Sequence, residues 1–219
     1  MTPQITIWNR FLIAGALAAT CTVAMAAYKA RPWSPRARES YRAVQTSQGV
    51  TIAVDPLFRD NLAAQVFDKS DIVTRGIMPV AIIVFNDNDY PVEINGNSID
   101  LILGGEHLRA LPPDHFIPAL FKKGASKLGS LNPLPRGTSV DTTTADAQED
   151  FEHKFLASKI VAPHASAGGF LYFRIPQSPT LPEQLSSATI YVPDLLRSDN
   201  NTRLMYFEID VKPAVEAAK

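Results

Sequence analysis

The chain has 219 residues, enough for one domain with a substantial core, and carries 21 basic and 22 acidic side chains. A formal net charge of −1 gives no basic footprint for nucleic acid, so we expect no nucleic-acid partner. The single cysteine, Cys21, excludes an internal disulfide and a zinc site built from thiolates.

Residues 1–26 have the features of a secretory signal peptide. Arg10 is the one charged side chain in this stretch, an apolar segment follows it over residues 11–19, and Ala24-Met25-Ala26 fits the small-residue pattern of a signal-peptidase site. We therefore predict cleavage after Ala26 and export to a periplasmic or extracellular location.

Two alternatives remain for this segment. Residues 11–28 are just long enough to span a bilayer, so the segment could stay uncleaved as an inner-membrane anchor. The basic residues that follow outnumber Arg10, which by the positive-inside rule argues for the anchor. Lipid modification of Cys21 is disfavoured because Thr20 precedes it, where such sites have glycine, alanine or serine.

Residues 27–40 form a basic stretch with prolines and no apolar period, which predicts an extended linker. We interpret it as a solvated spacer between the membrane and the folded domain. Attraction to anionic lipid is the alternative, although the basic cluster is small for that purpose; it consists of Lys29, Arg31, Arg36 and Arg38.

A single domain is expected over residues 41–212. Its first hairpin is predicted from strands at residues 41–46 and 50–54, which flank the turn-forming residues Ser47-Gln48-Gly49. Apolar residues at helical spacing between residues 57 and 67 then predict a short helix against the sheet.

The middle of the chain predicts the nucleus of an antiparallel β-domain. Residues 77–85 are apolar on both alternating faces, so this strand should be covered on both sides. The polar run over residues 86–89 predicts a turn, and a strand with one wet face follows over residues 90–95. Because Asn95-Gly96 is a strong hairpin signal, we expect residues 98–103 to return alongside that strand.

Helical and strand signals alternate after this nucleus. A short strand is predicted over residues 108–111, a helix from Pro112 to Phe121, and a second helix from Thr144 to Ser158.

An insertion over residues 124–144 separates the two helices. It is rich in glycine, serine, proline and threonine, so we expect a mobile loop that orders only against a partner. Trypsin should cut the isolated protein first in this loop, at Lys127 or Arg136.

The final third returns to sheet, with strands predicted over residues 168–175, 188–192 and 203–211 and a tail at residues 213–219. Roughly eight short strands with short helical insertions predict a mainly-β, antiparallel β-sandwich rather than a parallel α/β fold.

Two motifs resemble a known architecture. Residues 79–86, Pro-Val-Ala-Ile-Ile-Val-Phe-Asn, followed by Tyr90-Pro91-Val92-Glu93-Ile94, resemble the strand, turn and Pro-Val strand of exported bacterial immunoglobulin-like domains and of late-embryogenesis-abundant-type sandwiches. Residues 162–176 are similar to a glycine-rich edge of the same families, with His164 where glycine is usual. The resemblance implies an immunoglobulin-like β-sandwich of an envelope or secreted protein without catalytic residues.

Candidate chemistry is sparse. On a helix, Glu149 and His153 would share one face, and with His115 or Asp114 they could hold a divalent metal. A solvated helix face is the simpler interpretation, so we predict no metal site and no cofactor. No nucleophile elbow or phosphate loop is present in the sequence, and the carboxylates over residues 86–89 suit a turn better than a calcium loop.

Two function classes follow. The first is a non-enzymatic protein-binding or structural module of the cell envelope, with a free sheet edge near residues 90–95 or 168–175 as the binding site for an envelope protein. The alternative is a metal-assisted hydrolase of the envelope that uses His115, Glu149 and His153. In both cases the membrane is contacted only through residues 1–26, if these are uncleaved.

Overall fold

The computed structural model describes residues 27–122 and 142–218. This part of the chain is mainly β, with three antiparallel sheets of four strands each and a few short helices, so the mainly-β, sandwich-like prediction is confirmed. The segment 1–26, most of the predicted insertion 124–144 and both predicted trypsin sites lie outside the described residues. Cleavage after Ala26 and mobility of the insertion therefore stay predictions.

The strands of the described residues, in chain order, are β1 (Ala43–Ser47), β2 (Val50–Pro56), β3 (Ile77–Asn86), β4 (Val92–Asn95), β5 (Asp100–Leu103), β6 (Glu106–Arg109), β7 (Ser158–Val161), β8 (Ala165–Arg174), β9 (Thr189–Val192), β10 (Leu195–Arg197), β11 (Thr202–Arg203) and β12 (Phe207–Asp210). The α-helices are α1 (Asp60–Ala63), α2 (Ile117–Phe121), α3 (Thr142–Lys154), α4 (Leu181–Leu185) and α5 (Lys212–Ala217), and short 3₁₀ helices occupy Arg38–Ser40, Gly96–Ser98 and Pro113–His115.

Sheet A has the strand order β1-β2-β3-β8, and β3 is its predicted central strand. All ten residues of β3 are buried, and Val84 lies opposite Ile52 of β2 and Ala167 of β8. The β1–β2 hairpin is also as predicted. Gln48 and Gly49 both have positive φ, 48° and 71°, which is the left-handed pair that a tight hairpin turn requires.

Sheet B has the order β11-β10-β4-β7, and sheet C the order β12-β9-β5-β6. The predicted hairpin at Asn95-Gly96 is therefore wrong, because β4 and β5 belong to different sheets. Asn95 instead accepts a hydrogen bond from the Asn97 amide (3.1 Å) and opens a 3₁₀ turn. Gly96 is needed for space, since a Cβ there would lie 1.7 Å from the Leu156 carbonyl oxygen.

The predicted helix from Thr144 to Ser158 ends earlier than expected. Helix α3 stops at Lys154, because the Leu156 amide donates to the Phe170 carbonyl (2.9 Å) at the edge of sheet A. Ser158 then opens β7. A strand replaces the last helical turn.

Other element boundaries also differ from the predictions. The helix expected between residues 57 and 67 shrinks to α1, and the helix expected from Pro112 is a 3₁₀ turn followed by α2. The long strand predicted over residues 203–211 is two short ones, β11 and β12.

Residues 27–41 form an arm that lies on the domain, so the prediction of a solvated spacer is wrong. Tyr28 is buried and donates to Asp150 (2.6 Å), and the Trp33 ring packs edge-on against Phe170 at 4.7 Å. Further along the arm, arginines pair with carboxylates of sheet A and of the turn after it, in the pairs Arg36–Asp55 (2.6 Å) and Arg38–Asp87 (2.6 Å). The basic residues thus hold the arm to the domain.

The predicted tail at residues 213–219 is likewise packed. Helix α5 buries Ala214 and Val215, and the Ala218 carbonyl accepts a hydrogen bond from Arg59 (2.9 Å). The folded unit in the described residues therefore includes both segments that the sequence placed outside the domain.

An aromatic cluster covers one face of sheet A. Phe170 and Tyr172 point to the same side of β8, where Phe67 stacks on Phe151 at 4.3 Å and Phe116 packs on Tyr172 at 5.2 Å. On the opposite side of β8, Leu171 meets the turn that carries Gly96. Sheet A therefore has α3 and the arm on one face and the turn that carries Gly96 on the other.

Replacing Val84 by aspartate should destabilise the fold by about 4 kcal/mol, because an unpaired carboxylate would be buried in the middle of β3. Urea unfolding measures the loss. The matched control is Val44→Asp on β1, where 44% of the side chain is exposed and little change is expected. A Val84→Asp protein as stable as the control would show that the core is misplaced.

Gly96→Ala should destabilise the protein by about 3 kcal/mol, since its Cβ would collide with backbone that cannot rotate away. Gly104→Ala is the comparison, because nothing lies within 4 Å of a Cβ there and only its φ of 60° opposes a side chain. The free energy of unfolding of Gly104→Ala should fall by about 1 kcal/mol. Thermal unfolding in which Gly96→Ala is no worse than Gly104→Ala would contradict the packing assigned to Gly96.

Candidate functional site

The three candidate metal ligands do not form a site. His115 is exposed at the end of a 3₁₀ helix, and Glu149 and His153 are exposed on α3. Across residues 27–122 and 142–218, no three His, Cys, Asp or Glu side chains are grouped so that they could hold a metal ion.

The turn carboxylates of residues 86–89 are occupied by other partners. Asp87 pairs with Arg38 of the arm, and Asp89 pairs with His164 at 2.8 Å. His164 has a φ of 52°, a left-handed conformation that favours glycine.

Asp150, the neighbour of Glu149, belongs to a buried network instead. Its carboxylate accepts hydrogen bonds from Tyr28 (2.6 Å) and from Lys154 (2.6 and 2.7 Å), and both charged side chains are only 5% exposed. Lys154 also donates to the Val66 carbonyl at 3.1 Å. The i, i+4 spacing of Asp150 and Lys154 was visible in the sequence, but Tyr28 lies 122 residues away.

The electrostatics of this Tyr28–Asp150–Lys154 network fit a structural role. Burial raises the pKa of the Tyr28 hydroxyl far above its ordinary value, so the hydroxyl keeps its proton and remains a donor. Burial lowers the pKa of Lys154, while the hydrogen bond to Asp150 opposes that shift. Because these polar groups are occupied by one another and by Val66, the network anchors the arm to α3 and offers no free group for catalysis.

Lys154→Met should destabilise the protein by about 4 kcal/mol, because it leaves the buried Asp150 carboxylate without its cation. Tyr28→Phe should cost about 1–2 kcal/mol and speed proteolysis within the arm. Urea unfolding and timed trypsin digestion at Lys29 and Arg36 provide the readouts. Lys212→Met, which removes an exposed ion pair with Glu216, is the control. It should change neither the stability to urea nor the rate of trypsin digestion. Equal stability of the Lys154 and Lys212 variants would overturn the role of the network.

The two sheet edges proposed from sequence are not free. Strand β4 lies inside sheet B between β10 and β7, so an edge at residues 90–95 is ruled out. Strand β8 does end sheet A, but the Phe170 and Tyr172 carbonyls accept hydrogen bonds from the amides of Leu156 (2.9 Å) and Leu111 (2.7 Å). The middle of that edge is therefore covered.

Sheet B ends in β7 on one side and in the two-residue strand β11 on the other, and we refer to Ser158–Val161 as the β7 edge. Strand β7 pairs with β4 on one side, and no strand of the described residues pairs with its other side. Ile160 has 59% of its surface exposed and lies in register with Glu93 and, beyond it, Leu196. Sequence reasoning missed this edge because it assigned Ser158 to the preceding helix.

A groove of about 430 Å³ lies beside sheet A. Its two walls are tied together where the Ile175 backbone amide donates to the Gly76 carbonyl (3.0 Å) and the Gln177 side-chain amide donates to the Thr74 carbonyl. Its lining comes from two distant parts of the chain: Phe58, Arg59, Asp60, Val73, Thr74, Ile175, Pro176, Gln177, Ser178, Pro179, Leu181 and Pro182. The sequence gave no signal for it because the walls meet only in the fold.

Comparison with known proteins gives no family. No protein-family model matches the chain, and no curated protein matches its sequence. Within the described ranges, no helix is long and apolar enough to cross a membrane.

Slight structural likenesses exist to three solved proteins. The yjhA protein of Bacillus subtilis is 9% identical with a TM-score of 0.37, and the match covers 70% of this chain and 81% of that protein. The ycdA protein of Bacillus subtilis subsp. subtilis str. 168, described as a candidate lipoprotein, is 10% identical with a TM-score of 0.37, over 79% of this chain but only 40% of its own length. A functionally unknown protein of Listeria monocytogenes EGD-e is 9% identical with a TM-score of 0.34, over 78% of this chain and 84% of that one. These values are too low to support an argument about function.

Proposed function

We propose that this protein is a non-enzymatic, exported or cell-envelope module that binds a protein partner by strand addition at the β7 edge. The observation that carries the proposal is Ile160, a large apolar side chain exposed on an end strand whose outer side is unpaired among the described residues.

Strand addition follows from the chemistry of such an edge. An unpaired strand presents backbone N–H and C=O groups that an extended peptide can satisfy, and proteins normally protect edges of this kind. Here the exposed Ile160 would lie next to the added strand and would pack against an apolar side chain of the partner on the same face.

Location and finer architecture belong to the same proposal. The signal-like residues 1–26 support export to the periplasm or extracellular space, or anchoring in the inner membrane if they are retained. An immunoglobulin-like arrangement is supported by the antiparallel sheets and by the left-handed backbone at His164, where the resembled pattern has glycine.

A photo-crosslinking residue at position 160 of the full chain, expressed in its own host, should give one discrete adduct with an envelope protein. The same residue at position 44 should give none, because β1, although also an end strand with an exposed apolar residue, is already bonded to β12 through Gln45 and the Glu208 amide. Ile160→Arg should abolish partner capture by the tagged protein without lowering its melting temperature, because the side chain is mostly in water. Equal adducts from positions 160 and 44, or undiminished capture by Ile160→Arg, would refute the β7 edge as the binding site.

A further inference from the structure

Asn95-Gly96 is the one Asn-Gly pair in the sequence, and such pairs are chemically labile. Glycine has no Cβ, so in a flexible chain the Gly96 nitrogen can approach the Asn95 side chain without hindrance. After this nitrogen gives up its proton to hydroxide, it attacks Cγ of Asn95. The bond from Cγ to the side-chain nitrogen breaks, and that nitrogen takes a proton from water and leaves as ammonia. Water then opens the resulting succinimide at either carbonyl, which gives aspartate or isoaspartate at position 95.

The fold withholds the Gly96 nitrogen from this reaction. Its N–H donates to the Ala157 carbonyl at 2.6 Å, and Gly96 is buried. The carbonyl of the same peptide group, on Asn95, accepts a hydrogen bond from the Ser98 hydroxyl at 2.8 Å. The attacking atom is therefore occupied, and both polar atoms of its peptide group are bonded.

The backbone of Asn95 also has the wrong conformation for ring closure. The succinimide requires the Gly96 nitrogen to eclipse Cβ of Asn95, which in an L-residue needs a negative ψ, whereas ψ of Asn95 is 103°. The Asn95 side-chain oxygen is itself held by the Asn97 amide at 3.1 Å. Rotation of the peptide group into the reactive conformation would break the bonds to Ala157 and Ser98.

The bond that protects Gly96 belongs to the start of β7. Asn95 lies opposite Ser158 in the β4–β7 ladder, and Ala157 directly precedes Ser158. The Gly96 nitrogen is therefore released only when the start of β7 separates from β4. Strand β7 is the end strand of sheet B, and a local opening of this kind needs less free energy than global unfolding.

Isoaspartate at position 95 would prevent β7 from returning. It routes the main chain through the side chain and so adds one backbone atom immediately before Gly96. There is no room for the resulting shift, because even a Cβ on Gly96 would overlap the Leu156 carbonyl oxygen.

We infer that Asn95 is a deamidation site that is closed in the folded protein and opens when β7 detaches from β4. The isoaspartate formed there then excludes β7 from sheet B, so the reaction permanently marks chains that have opened at this edge. The inference does not depend on a partner at the β7 edge, because it uses only contacts within the chain.

Peptide mapping by mass spectrometry tests the inference on the full-length protein, kept at mildly alkaline pH in native buffer and in concentrated urea. Modification of residue 95 should be about a hundredfold slower in native buffer, because the reaction must wait for β7 to open. Val161→Ala, which removes buried contacts of β7, should raise the native rate about tenfold. The same truncation on β9 of sheet C, Val192→Ala, is the matched control and should not raise it.

A second measurement separates the altered backbone from the added charge. The isoaspartate form, purified after treatment with urea and returned to native buffer, should not regain the melting temperature of the unmodified protein. Asn95→Asp has the same charge with a normal backbone, and it should melt like the unmodified protein because residue 95 is exposed.

Each contrary result overturns part of the inference. Equal rates in native buffer and in urea would refute protection by the fold, and equal native rates for Val161→Ala and Val192→Ala would refute control by β7. An isoaspartate form as stable as Asn95→Asp would refute the exclusion of β7. If Val161→Ala fails to fold, the comparison of native and urea-treated protein still decides.

Discussion

The structure depends on a strand that cannot tolerate water on either face. All of β3 is buried, so the residues on both of its sides must be covered by other parts of the chain. On one face the cover includes the turn that carries Gly96. On the other it is the aromatic cluster of Phe67, Phe151 and Tyr172, extended by the arm.

This requirement explains how the charges of the arm are used. A sheet face left open would expose apolar surface, and the arm closes it with Trp33 against Phe170 and with arginines that pair along the sheet. The buried Tyr28–Asp150–Lys154 network then fixes the start of the arm to α3. The basic residues that suggested a solvated spacer therefore attach the arm to the domain.

Sequence patterns predicted the fold correctly where neighbouring residues in the chain determine the local structure. The apolar run of β3 and the left-handed pair at Gln48 and Gly49 act as sequence rules expect. The rules failed where a distant contact decided the outcome. Gly96 is required by the Leu156 carbonyl rather than by a turn, and the end of α3 is set by a hydrogen bond to Phe170.

The dependence on distant contacts also explains why the sequence could not locate the candidate sites. The sequence favoured a sheet edge over a catalytic centre as the candidate site, but it could not say which strand would be last in its sheet. That depends on the pairing of β7 with β4, whose residues are far apart in the chain. The groove beside sheet A has the same origin, since Arg59 and Leu181 meet only after folding.

The docked arm also determines the order in which the molecule can be completed. Tyr28 is among the first described residues to be synthesised, yet its partner Asp150 follows 122 residues later. Closing so long a loop has an entropic cost that only the finished sheet and α3 can repay. Tyr28 and the start of the arm therefore cannot reach their final contacts with α3 until most of the domain has been made.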